Sequence, residues 1–287
     1  DIPYHVFDCS EEYKKIVLHN FKTEYMSGRT PNPCVWCNAT IKFDALPRTA
    51  AAQGLVFDKF ATGHYARLEF DENSGRYRIR RGIDPKKDQS YFLYRLKQEQ
   101  LARILLPLGG YAKNEVRNFA RMAGLDVADK PDSQDFYSGD INDILQNEPQ
   151  VGNFVDKNGK ILGQHQGFWH YTVGQRRGMG ISAEKPLYVV SINQEKNEVI
   201  LGFADDTVQS ELTCANLSWL SISGITEPRH VLARIRSSQN PTPALITPLE
   251  NNELKVEFEN MQKAVAPGQS VVFYDNDIVL GGGIIKK

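Results

Sequence analysis

The sequence predicts an α/β region followed by a small β-rich unit and a closing β-barrel, three consecutive units in 287 residues. Helical periodicity alternates with strand-like runs as far as residue 140, which is α/β grammar. From Gly152 the texture changes to short strands separated by Gly and Asn turns, and from Thr207 apolar and polar residues alternate in regularly spaced strands. The expected boundaries are 1–140, 141–206 and 207–287. A chain of this length divides into roughly two domains, or three when the later ones are small.

In chain order, Asp1 to Asp8 reads as a connection running at once into a buried strand, so the numbering is expected to begin inside a domain. Ser10 is a candidate cap for a helix carrying Tyr13, Ile16, Val17, Phe21 and Tyr25 at helical spacing, stopped by Gly28. A second helix is predicted from Cys34 to Gln53, ended by Gly54, and a strand from Phe57 to Thr62. Gly63-His64-Tyr65 then falls at a strand end, where α/β sheets place ligands. Leu68 to Ile79 reads as a hairpin turning at 71–75, and Ser90–Leu106 and Lys113–Ala123 read as helices, the latter with Gly124 as C-cap. The central unit turns at 156–159, 174–180 and 193–197. The last unit is built from strands around Val231–Ile235, Leu254–Phe258, Ser270–Tyr274 and Asp277–Gly281.

Lys and Arg total 34 against 35 Asp and Glu, so any nucleic-acid surface must be a local patch and not a global field. Three clusters qualify: Arg76, Arg78, Arg80, Arg81, Lys86 and Lys87; Arg176 and Arg177 in a Gly-flanked turn; and Arg234 with Arg236 on one strand face. Such spacing suits phosphate contact, although for any one cluster alone a solvated face is the better reading. No apolar run approaches the ~20 residues a membrane helix needs. A soluble, cytoplasmic protein without membrane contact is expected; of its four cysteines, the pair Cys34 and Cys37 reads as redox, sulfur or metal chemistry and not as a secreted framework.

The chemistry concentrates in Arg29-Thr-Pro-Asn-Pro-Cys-Val-Trp-Cys-Asn38. Two X-Pro steps bias Thr30 and Asn32 towards extended backbone, giving a stiff loop before Cys34 opens the second helix. A thiol there feels the positive end of the helix dipole, which is expected to lower its pKa. Cys34 and Cys37 are therefore candidates for nucleophile, sulfur carrier or metal ligand, against the plainer reading of a structural pair or half a zinc site. Cys9 reads first as a small core residue and Cys214 as packing. His64 favours contact with nucleotide or RNA over a satisfied core histidine, while Asp132 and Asp135 read equally as turn caps or as groups near a substrate.

Five blocks carry a family resemblance: Gly28-Arg-Thr-Pro-Asn-Pro33 with Cys37-Asn38 and Ile41-Lys-Phe43; Ala61-Thr-Gly-His-Tyr-Ala-Arg67; Lys87-Asp-Gln-Ser-Tyr-Phe-Leu93; Thr172-Val-Gly-Gln-Arg-Arg-Gly178; and Ala266-Pro-Gly-Gln-Ser270 with Leu280-Gly-Gly-Gly283. In these the chain resembles the tRNA-specific 2-thiouridylases, ATP-dependent enzymes that replace the 2-oxygen of a wobble uridine by sulfur. The resemblance implies an adenine-nucleotide-hydrolase-like (Rossmann-like) domain, here lacking its N-terminal part, then a small central domain and a C-terminal tRNA-binding barrel. It also implies ATP with Mg²⁺, and tRNA and a persulfide-carrying sulfur-donor protein as partners. Two departures stand out: the family's Ser-Gly-Gly-x-Asp-Ser phosphate loop is missing, and Tyr137 occupies the position of its second catalytic cysteine. Without that loop the chain alone is expected to bind ATP poorly and to be inactive.

Carried over residue by residue, the resemblance makes Cys37 the principal catalytic thiol, with Cys34 as the nearest replacement for the missing partner. Gly63 and His64 fall on the nucleotide side, and Asn32, Pro33 and Cys34 fall where the flipped target base is held, although the family usually shows aspartate at Cys34. His64, Lys87, Asp88, Gln89, Arg236, Ser237 and Gln269 fall on tRNA-contacting positions. A second sulfur route would have Cys9, Cys34 and Cys37 hold an iron–sulfur cluster with one iron open to hydrosulfide. The rival expectation is a tRNA-binding module without catalysis, and a third is a desulfurase or an ATP-dependent amidating relative.

Overall fold

The computed structural model describes residues 2–130, 137, 139 and 141–286. Residues 2–9 form no strand: Ile2, Tyr4 and Val6 alternate as a buried strand would, yet all three are largely exposed because no neighbouring strand pairs with them. The first helix, α1 (residues 10–26), runs through Ser10–Glu12, a wide π-type stretch Tyr13–Leu18, and His19–Met26. Asp8, not Ser10, supplies its cap, accepting the Ser10 backbone N–H at 2.8 Å. Val17 and Phe21 are its buried face, and Gly28 ends it with φ +67°.

Helix α2 (residues 33–52) starts at Pro33, whose missing N–H costs nothing at a first turn. It passes through Pro33–Trp36, a π-type stretch Cys37–Ala45, and Leu46–Ala52, and Gly54 closes it at φ +89°. Pro47 sits inside this rod and cannot donate to the carbonyl of Phe43 four residues back. The gap is filled from outside: Gln100 Nε2 donates to the carbonyls of Phe43 at 3.2 Å and Ala39 at 2.8 Å. A proline in mid-helix thus accompanies the wide turn that carries Cys37.

Strand β1 (Phe60–Ala61) is followed by the hairpin β2 (Ala66–Asp71) and β3 (Arg76–Arg81). The single helix expected over Ser90–Leu106 is instead a 3₁₀ turn Ser90–Leu93, a short helix α3 (Gln98–Leu101) and strand β4 (Ile104–Leu105), which pairs in parallel with β1. Tyr91, Leu93, Tyr94, Leu96, Leu101 and Ile104 are all buried, and no single helical stripe could bury that set. Helix α4 (Lys113–Met122) matches its predicted span, with Glu115 accepting the Ala112 N–H at 2.7 Å and Gly124 at φ +68°.

The central unit adds α5 (Ile141–Leu145) and strands β5 (Gly152–Val155), β6 (Ile161–His165), β7 (Tyr188–Asn193) and β8 (Glu198–Gly202), in sheet order β6-β5-β8-β7. Phe154, Val189, Val199 and Leu201 pack with Phe168 and Trp169, and Phe21 of α1 joins them, so α1 serves two units. Strands β9 (Val208–Trp219), β10 (Arg229–Arg234), β11 (Thr242–Leu249), β12 (Glu253–Lys263), β13 (Ser270–Asp275) and β14 (Ile278–Ile285) form a six-stranded barrel, ordered β13-β10-β11-β12-β9-β14 and closed by β13 against β14. Closure removes the exposed edges of such a sheet. Cys214 is fully buried inside, packed as the sequence suggests.

The hairpin does not stay with the α/β unit. β3 pairs with β14 at Arg80 and Ile278, extending the barrel sheet. A core of Val35, Tyr91, Leu93, Tyr94, Val272 and Tyr274 fills the seam between the first unit and the barrel. Each large side chain buried at this seam contributes about 1.5–3 kcal/mol to holding the first unit against the barrel. No described helix is long and apolar enough to cross a membrane.

Candidate functional site at the thiol loop

The loop 29–33 cannot satisfy its own backbone, because Pro31 and Pro33 contribute carbonyls without N–H groups. The barrel makes up the difference. The Thr30 N–H donates to the Pro267 carbonyl at 2.7 Å, and Gln269 Nε2 donates to the carbonyls of Pro31 at 2.7 Å and Thr30 at 3.3 Å. Asn32 is buried, with its amide donating to the Tyr91 hydroxyl at 3.4 Å, and that hydroxyl donates to the Ser270 carbonyl at 2.8 Å. Gly268 fits because a side chain there would meet Thr30 O at 2.7 Å. From the helix side, the Arg95 guanidinium lies 4.5 Å over the Trp36 ring and donates to Asn216 of β9.

Cys34 and Cys37 follow on α2, one turn apart and half-buried. Burial pushes both thiols up from their ordinary range, not down as the helix-start position suggests, and the Lys42 charge opposes that rise at both. Tyr13 of α1 faces the pair: burial, then the neighbouring Cys37 and Cys34, push its hydroxyl up to about 12. Cys9 is not drawn into a ligand set. Its thiol faces Thr49 Oγ1 at 3.9 Å, at the edge of an apolar cluster of Val17, Ile41 and Ala45. Among the described residues no three His, Cys, Asp or Glu side chains converge as a metal site. Cys9 and Cys37 pack against that same cluster, and neither the three-cysteine iron–sulfur expectation nor a Mg²⁺ site has a preformed ligand set among these residues.

Beyond the thiols opens a cavity of about 370 Å³ lined by Lys42, Thr62, Gly63, His64 and Gln89. His64 is buried, its Nδ1 2.8 Å from Thr62 Oγ1 and its ring 5.5 Å from that of Phe43. Burial first, and Lys42 second, lower its pKa to about 4, so the imidazole is neutral at physiological pH. Its walls suit a phosphate-bearing ligand: an ammonium without a carboxylate partner among the described residues, a hydroxyl, and a glycine at the β1 end. They are compatible with ATP, for which Gly63 and His64 are candidates.

The RNA candidates separate. Asp88 is interior, not surface: its fully buried carboxylate accepts Arg234 Nη1 at 2.7 Å, Arg81 Nε at 3.4 Å, and the N–H groups of Gly82 and Ser90 at 3.1 Å each. Gln89 accepts the Tyr65 N–H at 2.9 Å, and Lys87 is half-buried. Arg236 Nη2 donates to the carbonyls of Val173 at 2.9 Å and Ala264 at 3.0 Å, joining the central unit to the barrel. Thr30, Thr172, Arg236, Ser237, Ser238 and Gln269 line a polar recess of about 240 Å³ where the three units meet.

The basic hairpin is not the open cationic face that the sequence suggests. Arg78 pairs with Asp71 at 2.5 Å, Arg80 with Glu69 at 2.7 Å and Asp277 at 2.6 Å, and Arg76 donates to the Leu220 carbonyl at 3.0 Å. Arg234 turns inward, so Arg234 and Arg236 share no outer face; Arg176 and Arg177 are exposed. Tyr137 is exposed and donates to Asp143 at 2.8 Å. Asp132 and Asp135 lie outside the described residues. Sequence reasoning passed over Tyr91, Gln100 and Lys42, although Lys42 lies inside one of the quoted blocks.

Family models match all three units: a tRNA methyl transferase HUP domain over residues 1–137, a PRC-barrel domain over 140–203 and an aminomethyltransferase beta-barrel domain over 209–285. The chain is 51% identical to the tRNA-specific 2-thiouridylase MnmA of Endomicrobium trichonymphae, over 99% of this chain and 79% of that protein. It is 46% identical to the protein of the same name from Acetivibrio thermocellus, over 99% and 81%, and 45% identical to that from Carboxydothermus hydrogenoformans, over 100% and 80%. Identity at this level across all three units places the chain in the tRNA-specific 2-thiouridylase family.

Proposed function

We propose that this protein uses ATP to replace the 2-oxygen of the wobble uridine of tRNA by sulfur, with Cys34 and Cys37 as its working thiol pair. The observation that carries the reading is a one-turn thiol pair at the start of α2, behind a loop held by the barrel and beside a cavity with the chemistry of a phosphate site. The uracil 2-oxygen attacks the α-phosphate of ATP and pyrophosphate leaves, which turns a poor leaving group into AMP. Cys34 carries a persulfide received from a donor protein. Its terminal sulfur attacks C2 and AMP departs, leaving the base joined to Cys34 through a disulfide. The Cys37 thiolate then attacks Cys34 Sγ, closing the Cys34–Cys37 disulfide and releasing 2-thiouridine as the sulfane sulfur is reduced. A thiol reductant resets the pair.

The RNA side of the reading rests on the junction recess, where Arg236, Ser237 and Gln269 stand beside hydroxyls suited to phosphate oxygens. Extruding a base costs a few kcal/mol, which several phosphate contacts offset. The test supplies unmodified tRNA, ATP and a persulfide donor, and measures 2-thiouridine by mass spectrometry of the digested RNA for the native protein completed with the family's N-terminal phosphate loop, and for Cys34→Ser and Cys37→Ser in the same background. Loss in both variants with tRNA binding intact is expected. Unchanged thiolation in Cys34→Ser would remove Cys34 from the sulfur route. Binding without thiolation in the native protein would favour a tRNA-binding module.

A further inference from the structure

The loop contacts fix α2 ahead of Cys34, but the π-type stretch that begins at Cys37 lacks the regular ladder that sets an ordinary helix, so its geometry depends on contacts from outside. Segment 91–95 supplies them. Val35 is fully buried in the seam core with Tyr91, Leu93 and Tyr94, and the buried Asn38 amide donates to the Phe92 carbonyl at 3.3 Å. Between these two, the Arg95 guanidinium lies 4.5 Å over the ring of Trp36, the residue bonded directly to Cys37. Cys37 therefore stands between two residues, Trp36 and Asn38, that this segment holds.

Arg95 is held in turn by the barrel. Its Nη1 donates to the Asn216 carbonyl and its Nη2 to Asn216 Oδ1, each at 3.0 Å. Asn216 is left-handed at φ +52° inside β9, where the pairing with β14 slips between Gly282 and Ile284. Such a bulge sets two residues against one and re-aims a side chain, and asparagine takes up this backbone more readily than most residues. The guanidinium fork matches the two acceptors and leaves its flat face for the indole. Arg78, Arg80, Arg81 and Arg234 are bound to carboxylates, whereas among the described residues no carboxylate pairs with Arg95. Trp36 and Asn216 also line one cavity of about 360 Å³ with Arg29 and Gly268, so this bracket adjoins the loop contacts. We propose that Arg95 is a positioning residue of the thiol site: by bracing the Trp36 ring against the β9 bulge, it holds the turn that sets Cys37 against Cys34. The inference rests on the reading of Cys34 and Cys37 as a working pair, and its test separates the two.

The test uses the same background as the thiolation assay and equilibrates the protein with glutathione and glutathione disulfide at one fixed pH. As the Cys34–Cys37 disulfide closes, the two thiols pass two electrons and two protons to glutathione disulfide, which leaves as two glutathione molecules. Peptide mass spectrometry reads the oxidised fraction in the native protein, Arg95→Met, Arg95→Lys, Trp36→Leu and Arg95→Met/Trp36→Leu. Arg95→Met and Trp36→Leu should each lower the equilibrium constant for closure about three- to tenfold. The double variant should lose no more than either alone, because both substitutions break one contact. Arg95→Lys keeps the charge without the fork and should recover less than half of the loss. A merely structural role would lower Tm and leave the equilibrium in place, and a cation acting through charge alone would, once removed, favour closure instead of opposing it. Hydrogen exchange over residues 35–41 should quicken in Arg95→Met, a readout that stands if Trp36→Leu folds poorly. A native pair that does not close would remove Cys34 from the sulfur route, and exchange alone would then decide for or against the bracket. Unchanged closure and unchanged exchange in Arg95→Met, or full recovery in Arg95→Lys, would overturn the inference.

Discussion

Replacing Arg234 by Met tests whether the conspicuous charges of this chain read RNA or hold its units together. Asp88 and Arg234 have side-chain exposures of 0% and 4%, and the guanidinium also donates to the Arg236 carbonyl at 3.2 Å and to the Ser237 carbonyl. Arg234→Met removes the shortest bond to a buried carboxylate, leaves Arg81 at 3.4 Å as its only cation among the described residues, and strips two carbonyls of a donor. Breaking one side of a buried pair costs about 3–5 kcal/mol. At roughly 2–4 °C per kcal/mol for a body of this size, the Tm should fall by on the order of 10 °C. Thermal unfolding measures this directly, and the double variant Asp88→Asn/Arg234→Met should recover more than half of the loss, because the stranded charge is then gone. A loss below about 1 kcal/mol together with tenfold weaker tRNA binding would refute the reasoning and return Arg234 to an RNA surface.

Three further outcomes follow from the same geometry. Tyr91→Phe keeps the ring but orphans the Ser270 carbonyl and the Asn32 amide, so about 1–3 kcal/mol of stability should go, with faster hydrogen exchange over residues 30–36. Gly268→Ala combines a left-handed φ of +91° with a contact of 2.7 Å to Thr30 O; unfolding should show a loss of about 2–3 kcal/mol, and alkylation of Cys34 and Cys37 should change with it. His64, with its pKa lowered to about 4, makes the folded state resist a proton that the unfolded chain accepts near 6.5. Its contribution is intact above pH 6.5 and declines as pH falls towards 4, by about 3 kcal/mol at most, so His64→Gln should flatten stability against pH across that window in urea titrations.

Much of this architecture is legible in the sequence because local chemistry and tertiary context agree. The ends of α1, α2 and α4 are marked by Gly28, Gly54 and Gly124, all left-handed in the structure. The turn at 72–75 and the alternation of β10 and β12 are local signals of the same kind. The failures come where distant segments decide. Residues 90–106 read as one helix, but their apolar side chains serve the seam from several directions at once. The arginines of β3 look like an RNA patch because their partners are either across the hairpin, like Asp71 and Glu69, or nearly two hundred residues away, like Asp277. Asp88 looks available for the same reason, its cation being Arg234 on β10. The thiol loop was the clearest chemical signal, yet the direction of its thiol pKa was misread, since burial against α1 and the seam is invisible at the level of a motif.

The two prolines that stiffen the loop also explain why the thiols need the barrel. Each proline removes a donor, so a loop of this composition brings more acceptors than it can satisfy, and a buried acceptor without a partner costs about 1–3 kcal/mol. Gln269, Pro267 and Tyr91 supply or receive the missing bonds, two of the three lying on the segment that leads into β13. That segment also holds Ser270, whose hydroxyl meets Tyr94 at 3.2 Å within the seam. The residues that position Cys34 and Cys37 are therefore continuous with the barrel and with the junction recess of Arg236 and Ser237. A displacement of the barrel by bound RNA would be felt first at Thr30 and Pro31, three and two residues before the thiol helix. In this fold the barrel and the thiol pair cannot be displaced independently, because the same few hydrogen bonds belong to both.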